Sequence, residues 1–465
     1  SVNSMQWVVE AYALSLASLV LIGGALGDRH GRRRVFALGA LVFGVASAGC
    51  GLAPNATALV LARGLQGVGG ALLVPGSLAL ISAAYGERER GAAIGTWSAA
   101  SAITGALAPV AGGWLVAHAS WRWLFWVNVP IAIAVAWLAT AKVVESRDPE
   151  APAAMDWLGA ALVVSGLGSL VYGLIERGAA AHGGVTPIVI GLSVLALFLW
   201  VEARSAAPMV PLALFRSATF SGANLLTLLL YAALGAAMFF LPFNLIQAQH
   251  YTPAAAGAAL LPFVLLISLL SRWSGRFAER RGARMPLTVG PLLAAAGFSL
   301  LAMPGLDSSY ARDWLPGIVL LGLGMGVTVA PLTAAVMGAV EQTHAGVASG
   351  INNAIARTAG LLAIAALGLI LVQVFGSALL EKLDPLALAP SLETSVLEQQ
   401  TRLAAPDLSA LPETLQAPIQ HAFELAFITG FRVLMLACAA LSVLAALTAA
   451  LSIDRQAAAV SEPSG

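Results

Sequence analysis

One acidic side chain in this sequence lies well inside a run of apolar residues. Glu10 belongs to the run 7–26, which begins Trp-Val-Val-Glu-Ala-Tyr. A charge inside hydrocarbon is costly, so an ionisable residue in such a run is a candidate functional residue. Its carboxyl group can hold a proton, attract a cation, or do both in turn. The alternative is an anchoring role, in which Glu10 extends to the nearby membrane surface.

Three basic side chains also fall inside apolar runs: Arg63, Arg357 and Arg432. Arg63, which Gln66 follows one turn later, is expected at a depth similar to that of Glu10, so the two charges could interact. A guanidinium can instead donate to backbone carbonyl groups, which is the structural alternative for Arg357. The other acids close to apolar runs fall at predicted helix ends, where we expect contact with solvent: Asp156, Glu176 and Glu202.

A glycine-rich, basic stretch follows the run 7–26. Residues 24–35 read Gly-Ala-Leu-Gly-Asp-Arg-His-Gly-Arg-Arg-Arg-Val. Glycines permit a sharp turn and close helix approach, and arginines are typical of cytoplasmic loops. Asp28 is expected just after a helix end, where it can bind an arginine or the N-terminus of a neighbouring helix. The stretch is therefore predicted to be a tight loop that latches helices together through Gly24, Gly27, Asp28, Arg29, Gly31 and Arg32.

A degenerate second copy of this stretch occurs 251 residues later, at 275–284. Five positions of the first copy have a like residue in the second, with Glu279 in place of Asp28. Such an internal echo predicts two structural repeats. The second copy contributes four residues to the predicted cytoplasmic gate: Gly275, Glu279, Arg280 and Gly282.

The composition identifies the class of protein. Of the 465 residues, 59% are hydrophobic and 10% charged, whereas a soluble domain carries about 25% charged residues. We predict an all-α, polytopic membrane protein. The net charge of +1 gives no reason to expect nucleic-acid binding. Cys50 and Cys438 lie in apolar runs, and no Cys/His cluster is present, so neither a disulfide framework nor a metal site is predicted.

Thirteen apolar runs are long enough to cross about 30 Å of hydrocarbon as helices. They fall at 7–26, 35–53, 57–85, 91–118, 122–143, 156–176, 185–202, 219–247, 253–275, 285–304, 315–339, 345–375 and 425–451. With the stretch 24–35 inside, the inner loops carry most of the Lys and Arg residues, as the positive-inside rule requires. The second basic stretch follows the second helix of its half, but the first follows the first helix present. We therefore expect a further helix before Ser1, the alternative being an odd-numbered protein with its N-terminus outside.

The stretch 24–34 resembles the signature loop of the major facilitator superfamily, G-x-L-(G/A)-D-R-x-G-R-(R/K)-x, at every defined position. An arrangement of six, two and six helices resembles its fourteen-helix drug:proton antiporter family, and 59–71, 120–130 and 156–159 resemble further motifs of that family. The resemblance implies a major facilitator fold of two pseudo-symmetric six-helix bundles plus two linking helices. Its expected divisions are an N-terminal bundle at 1–145 without its first helix, linking helices at 146–204, and a C-terminal bundle at 205–455 with an extracytoplasmic loop at 376–424.

The fifth-helix stretch resembles the motif that distinguishes exporters of this family, G-x8-G-x3-G-P-x-x-G-G. Its matching residues are Gly95, Pro109, Gly112 and Gly113, while Thr104 and Ala108 replace two glycines. The alternative is a kinked helix with small residues, as any transporter could contain. The setting of Glu10 resembles the W-(I/V)-x-(D/E)-x-Y motif of the quaternary-ammonium exporters.

The resemblance implies efflux of amphipathic, cationic compounds across the inner (plasma) membrane by alternating access, driven by the proton motive force without a cofactor. Expected partners are the small-molecule substrate, protons and the lipid bilayer, with the protein a monomer, alone or with an adaptor or regulator. Proton-coupling or substrate candidates are Glu10, Arg63, Gln66 and Arg357, and cavity candidates are Tyr12, Trp97, Tyr231, Phe240 and Asn244. The alternatives are a dedicated metabolite or antibiotic exporter, a solute importer and, from another class, a membrane-embedded enzyme, for which no catalytic constellation is visible.

Overall fold

The structure is a computed structural model. It describes residues 2–84, 111–147, 156–179, 184–205, 208–341, 345–386 and 411–454, together with isolated positions at 100, 104 and 108 and between 388 and 409. These residues form helices and connecting segments, and the described part contains twelve helices long and apolar enough to cross a membrane. The predicted all-α, polytopic class is confirmed.

Six of these helices precede residue 210: α1 (Val2–His30), α2 (Arg32–Leu52), α3 (Ala56–Ala84), α4 (Asn128–Lys142), α5 (Trp157–Ala179) and α6 (Val185–Glu202). A helical turn at Trp123–Trp126 leads into α4. Six more follow: α7 (Ala218–Gln247), α8 (Leu261–Arg281), α9 (Arg284–Leu301), α10 (Leu315–Gly338), α11 (Ala345–Leu383) and α12 (Glu413–Ser452). A short helix at Pro253–Ala259 precedes α8. The predicted helix 91–118 falls mostly outside the described residues, although 111–118 is helical.

The two glycine-rich basic stretches are not loops, contrary to prediction. α1 continues to His30 and α2 begins at Arg32, so Gly31 alone stands outside a helix between them. The stretch contains no proline, and its Ala, Leu and Arg residues favour helix. Basic residues in the last turn of α1 add to this stability by facing the negative end of the helix dipole.

The predicted extracytoplasmic loop at 376–424 is helical at both ends. α11 extends to Leu383, and α12 begins at Glu413. Pro385 follows α11, and Pro412 immediately precedes α12. Pro412 suits the position before the first helical residue, where no N–H group is needed, while Pro418 lies inside α12.

The chain divides into two compact units. The N-terminal unit comprises 3–213 and 353–361, and the C-terminal unit comprises 1–2, 214–352 and 362–465. α5 and α6, the two predicted linking helices, therefore belong to the same unit as α1 to α4.

Small residues allow helices to approach closely within the N-terminal unit. A Cβ atom at Gly67 of α3 would lie 2.4 Å from the backbone oxygen of Tyr12, so glycine is required where α3 crosses α1. The C-terminal unit contains such approaches too, since a Cβ atom at Gly324 of α10 would lie 2.6 Å from the backbone nitrogen of Ala294 of α9. Its interior also holds large, fully buried aromatic side chains: Phe220, Phe240, Phe298, Trp314, Phe375, Phe423 and Phe427.

Candidate functional site

The two faces of α1 have different neighbours. Tyr12 faces α3, where Gly67 lies against its backbone. Leu14 contacts Gly168 of α5 on the other side, and the ring of Trp7 lies 6.1 Å from that of Tyr172, also on α5. Successive helical residues are separated by about 100°, so Glu10 falls on the side of Trp7 and Leu14. α1 thus presents Tyr12 to α3 and Glu10 away from it.

Glu10, a residue of the N-terminal unit, is completely buried, with 0% of its surface exposed. Neither of its carboxylate oxygens has a hydrogen-bond partner among the described residues. A side chain that anchors a helix at the membrane surface would be exposed, which this one is not. A buried carboxylate without a partner is costly in its charged form, so the site suits a group that gains and loses a proton.

Arg63 is held by α1 and by its own helix. Its Nε donates to the backbone oxygen of Val8 at 2.9 Å, and its Nη1 donates to Oε1 of Gln66 at 2.5 Å. The guanidinium also lies over the ring of Tyr12, 4.3 Å from the ring centre. Gln66 in turn donates to Oγ of Ser47 on α2 at 2.7 Å. The polar network therefore joins α1, α2 and α3.

Glu10 and Arg63 are not paired in this structure. Glu10 lies two residues from both Val8 and Tyr12, which places it about 200° around the helix from each of them. Arg63 binds at the Val8 and Tyr12 face, while the oxygens of Glu10 have no partner in the described part of the chain. The two residues lie at a similar level along α1, as their positions in the sequence predicted. Arg63 contacts one face of α1, and Glu10 lies on the opposite face.

The remaining transport candidates are scattered. Arg357 has a buried Nε without a hydrogen-bond partner among the described residues. Phe240 and Asn244 are buried in the interior of the C-terminal unit, where the ring of Phe240 lies edge-on against that of Phe239. Tyr231 is partly exposed. Trp97, Gly95 and Pro109 lie outside the described residues, while Gly112 and Gly113 lie in the helix at 111–118.

At the predicted cytoplasmic end, Gly31 makes the turn between α1 and α2. Its φ of 112° is a conformation that other residues rarely adopt. Asp28, in the last turn of α1, accepts a 2.8 Å hydrogen bond from Nε of Arg32, the first residue of α2. The expected contact of Asp28 with an arginine is present, four residues along the chain.

Glu145 binds the start of α2, a role that the sequence analysis missed. Its Oε1 accepts hydrogen bonds from the backbone N–H groups of Arg33 at 3.0 Å and Ser146 at 3.1 Å, and its Oε2 lies 3.6 Å from Nε of both Arg33 and Arg34. The backbone of Arg32 donates to the oxygen of Ser146. The sequence did offer one signal for this role. Glu145 is an acidic residue shortly after α4, on the cytoplasmic side where Arg32, Arg33 and Arg34 were expected. We call Gly31, Arg33, Arg34 and Glu145 the N-terminal clasp.

The second copy of the stretch repeats part of this geometry. Gly282, the counterpart of Gly31, has a φ of 88° and separates α8 from α9. Arg284, the counterpart of Arg33, donates to the backbone oxygen of Ala450 near the end of α12. Gly275 and Arg280 lie in α8, and the side chain of Glu279 is outside the described part. The conformation at the turn is therefore a shared feature of the two repeats.

The match to a family model identifies the class of protein. Residues 1–365 match the Major Facilitator Superfamily. This match shows that the chain belongs to that superfamily, a family of transporters rather than enzymes. Together with the twelve helices in the described residues that are long and apolar enough to cross a membrane, it shows a multi-pass membrane protein. The resemblance stated from the basic stretch is confirmed, while the count of fourteen helices stays a prediction.

Several relatives are named for resistance to drugs or antibiotics. The multidrug resistance protein Stp of Mycobacterium tuberculosis is 35% identical over 79% of this chain and 69% of its own length. The tetracenomycin C resistance and export protein of Streptomyces glaucescens is 30% identical over 97% of this chain and 84% of its own. The methylenomycin A resistance protein of Bacillus subtilis is 34% identical, and the match covers 80% of each protein.

Solved structures show the same fold at low sequence identity. The POT family transporter PepTSo matches with a TM-score of 0.64 and 14% identity, over 97% of this chain and 89% of the other. A bacterial homologue of the lysosomal transporter Spinster matches with a TM-score of 0.60 and 18% identity, over 97% and 89%. These likenesses support the fold alone.

Proposed function

We propose that this protein exports amphipathic, cationic drugs across the cytoplasmic membrane in exchange for protons, by alternating access. The observation that carries the proton coupling is Glu10, a fully buried carboxyl group inside a membrane-crossing helix whose oxygens have no partner among the described residues. The direction of transport is supported by the relatives, which are named for export of or resistance to antibiotics and drugs.

The exchange requires one group that is stable in two charge states at different stages of the cycle. Protonated Glu10 is neutral and suits the buried position seen here, since burial without a partner is costly for the charged form. Ionised Glu10 attracts a cation, which supplies the missing partner. Binding of drug and of proton at this carboxyl group would then exclude each other, as antiport requires.

Arg63 takes part through α1 rather than by direct contact with the carboxyl group. It is fastened to the backbone of Val8, two residues from Glu10 on the same helix. A shift of α1 that follows protonation of Glu10 is therefore transmitted to α2 and α3 through Arg63, Gln66 and Ser47. In this proposal Arg63 and Gln66 are positioning residues.

Transport by the purified protein in liposomes tests the proposal. A panel of monovalent and divalent lipophilic cations is loaded, and an inward proton gradient is imposed. We expect the gradient to drive cation efflux in the wild type, Glu10→Gln to abolish it, and Glu381→Gln to leave it unchanged, because Glu381 is an exposed acid. Inward movement of sugars or anions, with no response to cations, would show that the proposal is wrong.

A second candidate is a dedicated exporter of one antibiotic. It is favoured by two relatives that are each named for a single compound, tetracenomycin C and methylenomycin A. The same liposome panel distinguishes the two functions. A broad response across unrelated cations supports multidrug efflux, and a response to one chemical scaffold supports the dedicated exporter.

A further inference from the structure

α5 and α6 form an antiparallel hairpin whose register is set by close contacts. Gly173 faces Ile188, and Gly166 faces Leu195, so seven residues back along α5 correspond to seven residues forward along α6. Continuing this register by seven more residues, from Gly166 back to position 159 and from Leu195 forward to position 202, places Gly159 opposite Glu202. The ends of the two helices therefore bring together Asp156, which caps α5 by accepting the Gly159 N–H at 2.7 Å, and Glu202, the last residue of α6.

Each of these carboxyl groups has one satisfied oxygen and one unsatisfied oxygen. Oδ1 of Asp156 accepts from Gly159, and Oε1 of Glu202 accepts from the backbone N–H of Val210 at 3.3 Å. Oδ2 of Asp156 and Oε2 of Glu202 are both buried without a hydrogen-bond partner among the described residues. Glu202 is only 2% exposed, contrary to the solvated role expected from its position at a helix end.

No positive charge near the pair compensates it in the described structure. Arg204, two residues after Glu202, lies instead over the ring of Trp200, 4.1 Å from the ring centre. The register of α5 against α6 places the two carboxyl groups at the same end of the hairpin. Two neighbouring carboxylates repel each other when both are ionised, whereas one proton held between them converts the repulsion into a hydrogen bond.

We propose that Asp156 and Glu202 share a proton between Oδ2 and Oε2, and so form a protonatable site in the N-terminal unit that is separate from Glu10. A metal ion is the less favoured occupant, because no group of three or more His, Cys, Asp or Glu residues that could hold one occurs in the described part of the chain. On the predicted topology, the pair lies at the cytoplasmic ends of α5 and α6.

The consequence of the shared proton is control of the segment that leaves α6. Oε1 of Glu202 accepts the hydrogen bond from the backbone N–H of Val210, so the position of Glu202 fixes the start of the connection toward α7. Loss of the proton at alkaline cytoplasmic pH restores the repulsion, displaces Glu202 from Asp156 and loosens this attachment. The pair thus responds to cytoplasmic pH, independently of which compound the protein transports.

Infrared difference spectroscopy of the purified protein tests the proposal, because a protonated carboxyl group has a C=O band distinct from that of a carboxylate. The measurements are made in a Glu10→Gln background, which removes the other buried acid among the described residues of the N-terminal unit. Glu424, a buried acid of the C-terminal unit, is present in every sample and cancels in the difference between variants. At neutral pH we expect one carboxyl band, lost equally in Asp156→Asn, in Glu202→Gln and in the double variant. An equal loss in all three is the signature of one proton held by two residues, and Glu381→Gln should leave the band unchanged.

Folding of the variants is checked by thermal unfolding. Asn and Gln can each donate a hydrogen bond to the remaining carboxylate, so both single variants are expected to unfold no earlier than the parent and to lose its destabilisation at alkaline pH. If one single variant cannot be purified, the other is compared with the double variant: equal losses support the shared proton, and a larger loss in the double variant contradicts it. A spectrum without the band, losses that add in the double variant, or carboxylate bands that shift with added sodium, potassium or magnesium but not with pH would each overturn the shared proton.

Discussion

Arg33 and Arg284 stand 251 positions apart and make corresponding contacts in their respective units. Arg33 donates to the backbone oxygen of Val143, which directly follows α4, and Arg284 donates to that of Ala450, near the end of α12. Each arginine lies two residues after a glycine with positive φ, which is Gly31 for Arg33 and Gly282 for Arg284. Terminal carbonyl groups of helices lack partners within the helix, so an arginine at this place both satisfies them and faces the negative helix end.

We expect Arg284→Ala to destabilise the protein measurably. A hydrogen bond from a charged group contributes about 1.5–3 kcal/mol, and Arg284 is partly buried in its contact with Ala450. The matched control is Arg276→Ala, since Arg276 is an exposed residue of α8, and surface changes usually stay within about 0.5 kcal/mol. Thermal unfolding in detergent measures both. Equal midpoints for the two variants would remove the proposed capping role of Arg284.

Glu145 is expected to matter more for stability than Asp28, although only Asp28 belongs to the recognised motif. Asp28 makes one pair four residues along the chain and is 37% exposed, a type of contact that contributes about 0.3–0.5 kcal/mol. Removal of Glu145 leaves the Arg33 backbone N–H without its acceptor, at a cost of about 1–3 kcal/mol. The unfolding midpoint of Glu145→Ala should therefore lie below that of Asp28→Ala. A larger loss in Asp28→Ala would contradict this account of the clasp.

Gly31 and Gly27 provide a second matched pair. A Cβ atom at Gly31 would lie 2.6 Å from the carboxyl carbon of Glu145, and the φ of 112° is unfavourable for alanine. Gly31→Ala should therefore cost about 1–3 kcal/mol. Gly27 lies within α1, and a Cβ there would contact Arg32 at an ordinary 3.8 Å, so Gly27→Ala should be neutral or gain up to about 1 kcal/mol. Chemical denaturation should show a loss of stability in Gly31→Ala and no loss in Gly27→Ala, and a well-tolerated Gly31→Ala would refute the clasp geometry.

The sequence was sufficient to predict the membrane class, the superfamily and most helices, because hydropathy and the basic stretch are local signals. It did not predict that the stretch is helical up to Gly31, since a run of glycine and charged residues is also typical of a loop. Glu145 was missed because its partners at the start of α2 lie more than a hundred residues away along the chain. The burial of Glu202 depends in the same way on the register of α5 against α6, which no single helix reveals.

The depth of Glu10 and Arg63 could be predicted, but their direction could not. Counting residues from a helix end gives depth, whereas the face that each side chain occupies depends on which neighbour each helix meets. The contact of α1 with α5 through Trp7 and Leu14 turns Glu10 away from Arg63. The two residues therefore have separate tasks, which leads to a test by combined substitution.

Glu10→Gln and Arg63→Lys are expected to affect different properties. Glu10→Gln removes an unpartnered buried carboxylate, so the unfolding midpoint should not fall, while proton-driven efflux is lost, more completely for divalent than for monovalent cations. Arg63→Lys should lower the midpoint, because an ammonium group cannot bind the Val8 oxygen and Gln66 with the geometry of a guanidinium. Since the two side chains share no hydrogen-bond partner among the described residues, their effects on stability should add within about 0.5 kcal/mol. Strong non-additivity in the double variant would restore a direct Glu10–Arg63 pair, and unchanged efflux by Glu10→Gln would remove Glu10 from the coupling mechanism.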